Sequence, residues 1–234
     1  MSDGDVGHGD VSHGDAGITP DLTIEIHFDL VCPWCFIGKR QLALALDWFA
    51  RDNPGVAVAL VWVPVQLLPD VPAHGLPFDE FYERRLGSAE AVRQRRQQVA
   101  LAARSAGLEL DLTAIQRMPN TARAHELLRR VALLRTPELY EALLERLFAA
   151  YFQHGEDIGD AATLRLLAAK VGVPWERLAD MVAVDTVPAP AITGVPYFVF
   201  NRQLSLSGAQ DPATLLAAMR QAVQAPRAAA AAHG

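Results

Sequence analysis

The chain has 234 residues, 51% of them hydrophobic and 21% charged, with a formal net charge of −6. This length and balance suit one globular domain, or one domain carrying an inserted second, with a sizeable core. The acidic balance excludes an electrostatic match to nucleic acid or to an anionic membrane surface, and no run reaches the roughly 18 consecutive apolar residues of a membrane helix.

Residues 1–20 are mostly Gly, Asp, Ser and His, and read as a disordered tail. His8 and His13 lie in it as solvated residues with no packing to arrange them around a metal. The tail has neither the basic start nor the apolar middle of a secretory signal, so the expected compartment is the cytoplasm. Disulfides there are usually catalytic and transient.

From Leu22 to Asp29 apolar and polar residues alternate, the pattern of a half-buried strand. Gln41 to Phe49 is a helix-forming run without strand breakers. Between them stand the only two cysteines of the chain, in Cys32-Pro33-Trp34-Cys35. The thiols therefore fall where a strand ends and a helix begins. The first turn of a helix has unpaired N–H groups and a partial positive charge, which stabilises a thiolate. Pro33 suits that turn because its missing N–H has no partner to lose. Cys32 is expected as the exposed nucleophile and Cys35, one turn deeper, as the buried resolving thiol. A structural disulfide across two residues would remove little chain entropy. A structural zinc needs four ligands, and the two cysteines have no positioned partners. The strand-to-helix placement speaks against inert core cysteines. The expected chemistry is that of a redox dithiol, with no metal and no bound cofactor.

Asp52-Asn53-Pro54-Gly55 is a turn signal, and residues 56–63 then read as a strand that is apolar on both faces, as buried parallel strands are. Pro64, Pro69, Pro72 and Pro77 open an irregular stretch. Residues 78–184 read as helical. Ser88 is placed to cap a helix ending at Gly107, and Arg93, Arg95, Arg96 and Arg104 on it read as a solvated face. Leu127, Leu128, Val131 and Leu134 mark another helix. Thr136-Pro137 caps and starts the next, whose apolar face is Leu139, Leu143, Leu144, Leu147, Phe148 and Tyr151. Asp160 caps a helix that stops at Gly172, and Pro174 begins one through Met181. Residues 197–200 are a β-type run, Asn201-Arg202 a tight turn and residues 204–207 a second hairpin strand. Asp211-Pro212 starts a last helix, and the Ala-rich end is expected to fray.

The order is strand–helix–strand, a helical block, then strand–strand–helix. This predicts an α/β fold with one small mixed sheet, built from residues 21–75 and 185–225, and a helical insertion over 76–184. Residues 1–20 and 226–234 are tails. One inserted helix is expected to make the right-handed crossover into the late strand.

Several runs together resemble the DsbA family of thiol–disulfide oxidoreductases, and its FrnE-like branch in particular. They are Cys-Pro-Trp-Cys-Phe-Ile-Gly-Lys-Arg at 32–40, Asn120-Thr121 with Ala124-His125, Gly-Val-Pro-Tyr-Phe-Val-Phe at 194–200, and Ser207-Gly208-Ala209-Gln210. The resemblance spans about 22–222 and implies a thioredoxin-like fold with a large α-helical insertion. It also implies a cis bond before Pro196, facing the dithiol, with Val195 and Pro196 meeting the substrate chain. Asn120, His125 and Gln210 are candidates for supporting the site. Strong oxidants of the family carry His at the third motif position, where this chain has Trp34. A family run is reduced here to Pro64-Val65-Gln66-Leu67-Leu68-Pro69, and the additional cysteine pair of some FrnE-like proteins is absent.

The expected activity is reduction or isomerisation of disulfides, with disulfide- or thiol-containing proteins or small molecules as substrates, acting as a monomer or homodimer. Two other classes compete. One is a glutathione-dependent isomerase or transferase related to the kappa class, with glutathione as co-substrate. Those enzymes usually have Ser at the first motif position, and Cys32 opposes that reading. The other is a redox-inactive chaperone or binding module.

Overall fold

The computed structural model describes residues 20–179 and 194–225. The tails, the segment 180–193 and the crossover into the late strand lie outside the described residues.

Strand β1 (Leu22–Phe28) leads through the dithiol into helix α1 (Pro33–Asp52), and the chain returns as β2 (Val58–Pro64). After the insertion come β5 (Tyr197–Phe200), β6 (Leu204–Ser207) and helix α8 (Pro212–Gln224). The sheet order is β2-β1-β5-β6. β1 runs parallel to β2, with Leu22 opposite Val58, and antiparallel to β5, with Ile24 opposite Phe200. Alternation places Leu22, Ile24 and Ile26 on one face of the sheet with Phe198 and Phe200. Leu42, Ala45 and Phe49 of α1 and Leu215 and Met219 of α8 cover them. This is the thioredoxin-like arrangement. Asn201 locks it: at φ 49 it turns the hairpin, its side chain accepts from the Thr23 N–H at 2.8 Å, and it donates to the carbonyls of Asp21 and Ala222.

Between β2 and β5 lie β3 (Leu76–Pro77), α2 (Phe78–Leu86), α3 (Ala89–Ser105), β4 (Arg117–Met118), α4 (Ala122–Ala132), α5 (Pro137–His154), α6 (Ala161–Lys170) and α7 (Trp175–Ala179). Ser88 and Asp160 cap α3 and α6 by accepting the N–H groups of Ala91 and Thr163. Asp211 does the same for α8.

The structure corrects three local expectations. β2 is an edge strand, not a doubly covered one, and Val61 on it is 43% exposed. Its apolar run reflects contacts with α5 and with β1 rather than burial on both faces. Thr136 precedes α5 without a side-chain cap, because its hydroxyl donates to the Leu134 carbonyl instead. The block is also not purely helical, since β3 and β4 pair with Leu76 opposite Met118. Two-residue strands carry no periodicity to read.

Ring contacts and ion pairs dock the insertion on α1 and on the sheet. Phe36 stacks on Phe148 with ring centres 5.1 Å apart and planes 6° from parallel, and Phe28 meets Phe148 at 6.2 Å. Beside them Lys39 pairs with Glu145 at 2.9 Å and with Glu141 at 3.3 Å, while Arg40 pairs with Glu145. The Trp62 indole of β2 donates to Glu141. The Lys39-Arg40 end of the motif run thus fastens α5 to α1. Phe148 is fully buried, so Phe148→Ala should cost about 3–5 kcal/mol of stability. Leu166→Ala, at a side chain 64% exposed, should stay within about 0.5 kcal/mol. Urea unfolding midpoints of the two variants check this.

Candidate active site

The site forms where β1 hands over to α1. Cys32 is the N-cap of α1, with φ −93 and ψ 107, and Pro33 occupies the first turn. The Cys32 N–H donates to the Asp29 carbonyl at 3.1 Å, and the Cys35 N–H to the Cys32 carbonyl at 3.0 Å. The Val195–Pro196 bond is cis. The Val195 carbonyl lies over Cys32, whose Sγ–H donates to it at 3.5 Å. The Pro196 carbonyl accepts from the Gly208 N–H at 2.8 Å, which holds the loop at the start of β5. Gly38 lets α1 approach this loop: a β-carbon there would lie 3.1 Å from Pro196 Cγ and 3.3 Å from Phe198 Cζ.

The two thiols differ from the expected pair in one respect. Both are buried, Cys32 at 6% exposure and Cys35 at 2%. The late loop carrying Val195 closes over Cys32, and a local reading of the motif has no access to that contact. Burial pushes the Cys35 thiol well up, and neighbouring Cys32 and the Asp29 carboxylate push it further, against a backbone N–H of Asp29 that pulls it back.

Asp29 carries a role that the sequence reading did not assign. It is completely buried. One carboxylate oxygen accepts the Leu67 N–H at 2.8 Å, and the other meets His125 Nε2 at 2.9 Å. The available signal was a carboxylate directly after the buried end of β1, three residues before Cys32.

His125, on α4, therefore reaches the dithiol through Asp29. Its Nδ1 is buried without a hydrogen-bond partner among the described residues. Asn120 sits one step further off. Its carbonyl accepts from Gln66 at 2.8 Å and from the Ala122 N–H, and its amide donates to Val71. It binds the chain after β2 to the start of α4. Gln210 donates to the Ser207 carbonyl at 2.5 Å and closes the turn behind Pro196 rather than meeting the thiols.

Pro33 and Trp34 form one wall of a cavity of about 320 Å³, which α2 and α3 complete. A larger cavity of about 530 Å³ between α4, α6 and α7 includes no motif residue, so size does not locate the chemistry. Among the described residues, no group of three His, Cys, Asp or Glu side chains is arranged to hold a metal ion. Nor is any described helix long and apolar enough to cross a membrane.

Residues 23–220 match the model of the DSBA-like thioredoxin domain. The chain superposes on a probable DsbA oxidoreductase of Streptomyces coelicolor with TM-score 0.75 and 27% identity, covering 90% of this chain and 94% of the other. It is similar in fold to a putative protein disulfide isomerase of Nitrosomonas europaea, with TM-score 0.57 and 16% identity over 86% of this chain and 95% of that one. An uncharacterised protein of Bacillus subtilis is 25% identical over 150 residues, which are 64% of this chain and just under two thirds of that protein, 66%.

Two outcomes follow from the geometry. Iodoacetamide at mildly acidic pH should label Cys32 well before Cys35. A raised Cys35 leaves less thiolate at any given pH, so its labelling should appear only above the ordinary thiol range. Mass spectrometry of the alkylated protein decides, and preferential labelling of Cys35 would contradict the assignment. Gly38→Val should lower stability by about 1–3 kcal/mol by driving α1 from Pro196 and Phe198. It should also slow attack by Cys32, measured as the rate of mixed-disulfide formation.

Proposed function

Because the chain belongs to the DSBA-like thioredoxin domain family and holds a DsbA-like Cys-x-x-Cys pair at Cys32 and Cys35, we propose that it is a thiol–disulfide oxidoreductase acting mainly as a reductase and isomerase of disulfides in the cytoplasm. Its place within the family is the FrnE-like branch, on the run Cys-Pro-Trp-Cys-Phe-Ile-Gly-Lys-Arg. The observation that carries the activity is the inequality of the two thiols. Cys32 caps the N-terminus of α1 beneath the Val195 carbonyl, while Cys35 is buried behind it and held protonated.

In the reducing direction, the Cys32 thiolate attacks one sulfur of the substrate disulfide. A Cys32–substrate disulfide forms and the other substrate sulfur leaves as thiolate, which takes up a proton. Cys35 then loses its proton and attacks Cys32 Sγ, the mixed disulfide breaks, and the second substrate thiol departs. Two electrons and two protons pass from the dithiol to the substrate, leaving Cys32–Cys35 oxidised. Two equivalents of a monothiol, or one of a dithiol, restore the pair. Isomerisation stops at the first stage and returns the substrate with a different pairing. The Val195 backbone beside Cys32 offers an extended substrate chain a strand-like partner.

Trp34 bears on the direction of the reaction. An indole has one N–H donor and no positive charge, so it stabilises the reduced thiolate less than an imidazolium would. The confinement of both cysteines to the motif supports the reducing compartment. Equilibration with glutathione buffers should give a potential of about −180 to −250 mV. The reduced protein should then precipitate insulin in dithiothreitol, an activity that Cys32→Ser removes. A potential near −120 mV would make the protein an oxidase, and insulin reduction unaffected by Cys32→Ser would remove the dithiol from the mechanism.

A further inference from the structure

The cavity beside the dithiol has a mixed lining. Phe78, Val92 and Val99 are apolar, Pro33 and Trp34 belong to the motif next to Cys32, and three residues are cationic: Arg85 comes from α2, and Arg95 and Arg96 from α3. The sequence reading treated the α3 arginines as one solvated face, but the structure divides them. Arg93 and Arg104 pair with Glu90 and Glu109, and Arg84 on α2 pairs with Glu80. Among the described residues, Arg85 and Arg95 have no carboxylate partner. Arg96 is anchored, with Asp79 at 2.7 Å and its guanidinium 5.0 Å from the Phe78 ring centre, and its Nε is buried without a partner among the described residues.

Tyr82 also lines the cavity. Burial raises its phenol, nearby Cys32 raises it further, and Arg85, Arg95 and Arg96 pull it back. It therefore stays a neutral hydroxyl, able to donate, within electrostatic reach of both Cys32 and the three guanidiniums.

We propose that this cavity binds small disulfides bearing carboxylates, with Arg85, Arg95 and Arg96 holding the carboxylates while the disulfide lies at Cys32. This rests on the oxidoreductase reading above and assigns its substrate class. Three features favour a small acidic molecule. About 320 Å³ is the volume of a small-ligand pocket. Guanidinium groups match carboxylates in shape as well as charge. The cluster is locally cationic in a chain of net charge −6, so its field favours an anion there. The covalent steps are those already given: the Cys32 thiolate displaces one carboxylate-bearing thiolate, and Cys35 displaces the second.

The test uses three aliphatic disulfides of similar length: 3,3′-dithiodipropionate as the dianion, bis(2-hydroxyethyl) disulfide as the neutral form and cystamine as the dication. Single-turnover oxidation of the reduced full chain is measured with each. Every rate is divided by that of dithiothreitol with the same disulfide, which removes intrinsic reactivity. The dianion should be favoured over the neutral disulfide by about tenfold and over the dication by more. The preference should shrink several-fold at high salt. Arg85→Gln combined with Arg95→Gln should abolish it, Arg85→Lys with Arg95→Lys should keep most of it, and Arg84→Gln, outside the cavity, should match the parent. Equal normalised rates for all three disulfides, or a preference that survives the double Gln variant, would overturn the proposal. If the reduced protein reacts with none of them, the oxidoreductase reading itself falls.

Discussion

A buried carboxylate governs the geometry of this site. Asp29 follows β1 with no exposure to solvent, and a buried polar group is tolerable only where hydrogen-bond partners meet it. The Leu67 N–H comes from the chain that follows β2, and His125 comes from α4 of the insertion. The Asp29 backbone carbonyl meanwhile holds the Cys32 N–H. One residue thus ties the strand, the motif, the exit from β2 and an inserted helix to a common point. Leaving such a buried polar group without its partner typically costs about 1–3 kcal/mol, so these elements are held together by the penalty for separating them.

The insertion is consequently part of the active site rather than an appendage to the sheet. The Phe36–Phe148 stack and the Lys39 and Arg40 pairs with α5 set the angle of α1 from below. The Val195–Pro196 loop sets it from the side, where Gly38 leaves no room to spare. Cys32 lies between these constraints, and its burial follows from them. Pro33 and Trp34 line the adjacent cavity, and the Val195 carbonyl covers the sulfur from the other chain segment.

Charge is distributed to the same end. Desolvation and the neighbouring Cys32 disfavour a thiolate at Cys35. Two residues of one type are thus set in different environments, Cys32 at the helix N-terminus beneath Val195 and Cys35 behind it. On α2 and α3 most arginines are neutralised by glutamates or by Asp79, and the charge left without a carboxylate partner gathers at the cavity.

The amino-acid sequence by itself determined what depends on local pattern. Alternation marked β1, and the caps at Ser88, Asp160 and Asp211 marked their helices. The Cys-x-x-Cys pair at a strand-to-helix junction marked the chemistry, and the resemblance to the DsbA family pointed to the Val195-Pro196 run as the loop facing it. Each is a signal carried within a few residues. Tertiary structure alone decided that β2 lies at the sheet edge, that Cys32 is covered, that Asp29 rather than Asn120 or Gln210 supports the dithiol, and that Arg95 faces a cavity while Arg93 faces Glu90. Those outcomes depend on what packs opposite a residue. Asp29 meets His125 across 96 positions of sequence and Cys32 meets Val195 across 163. Burial and charge pairing arise at such long-range contacts, and no local periodicity encodes the partner.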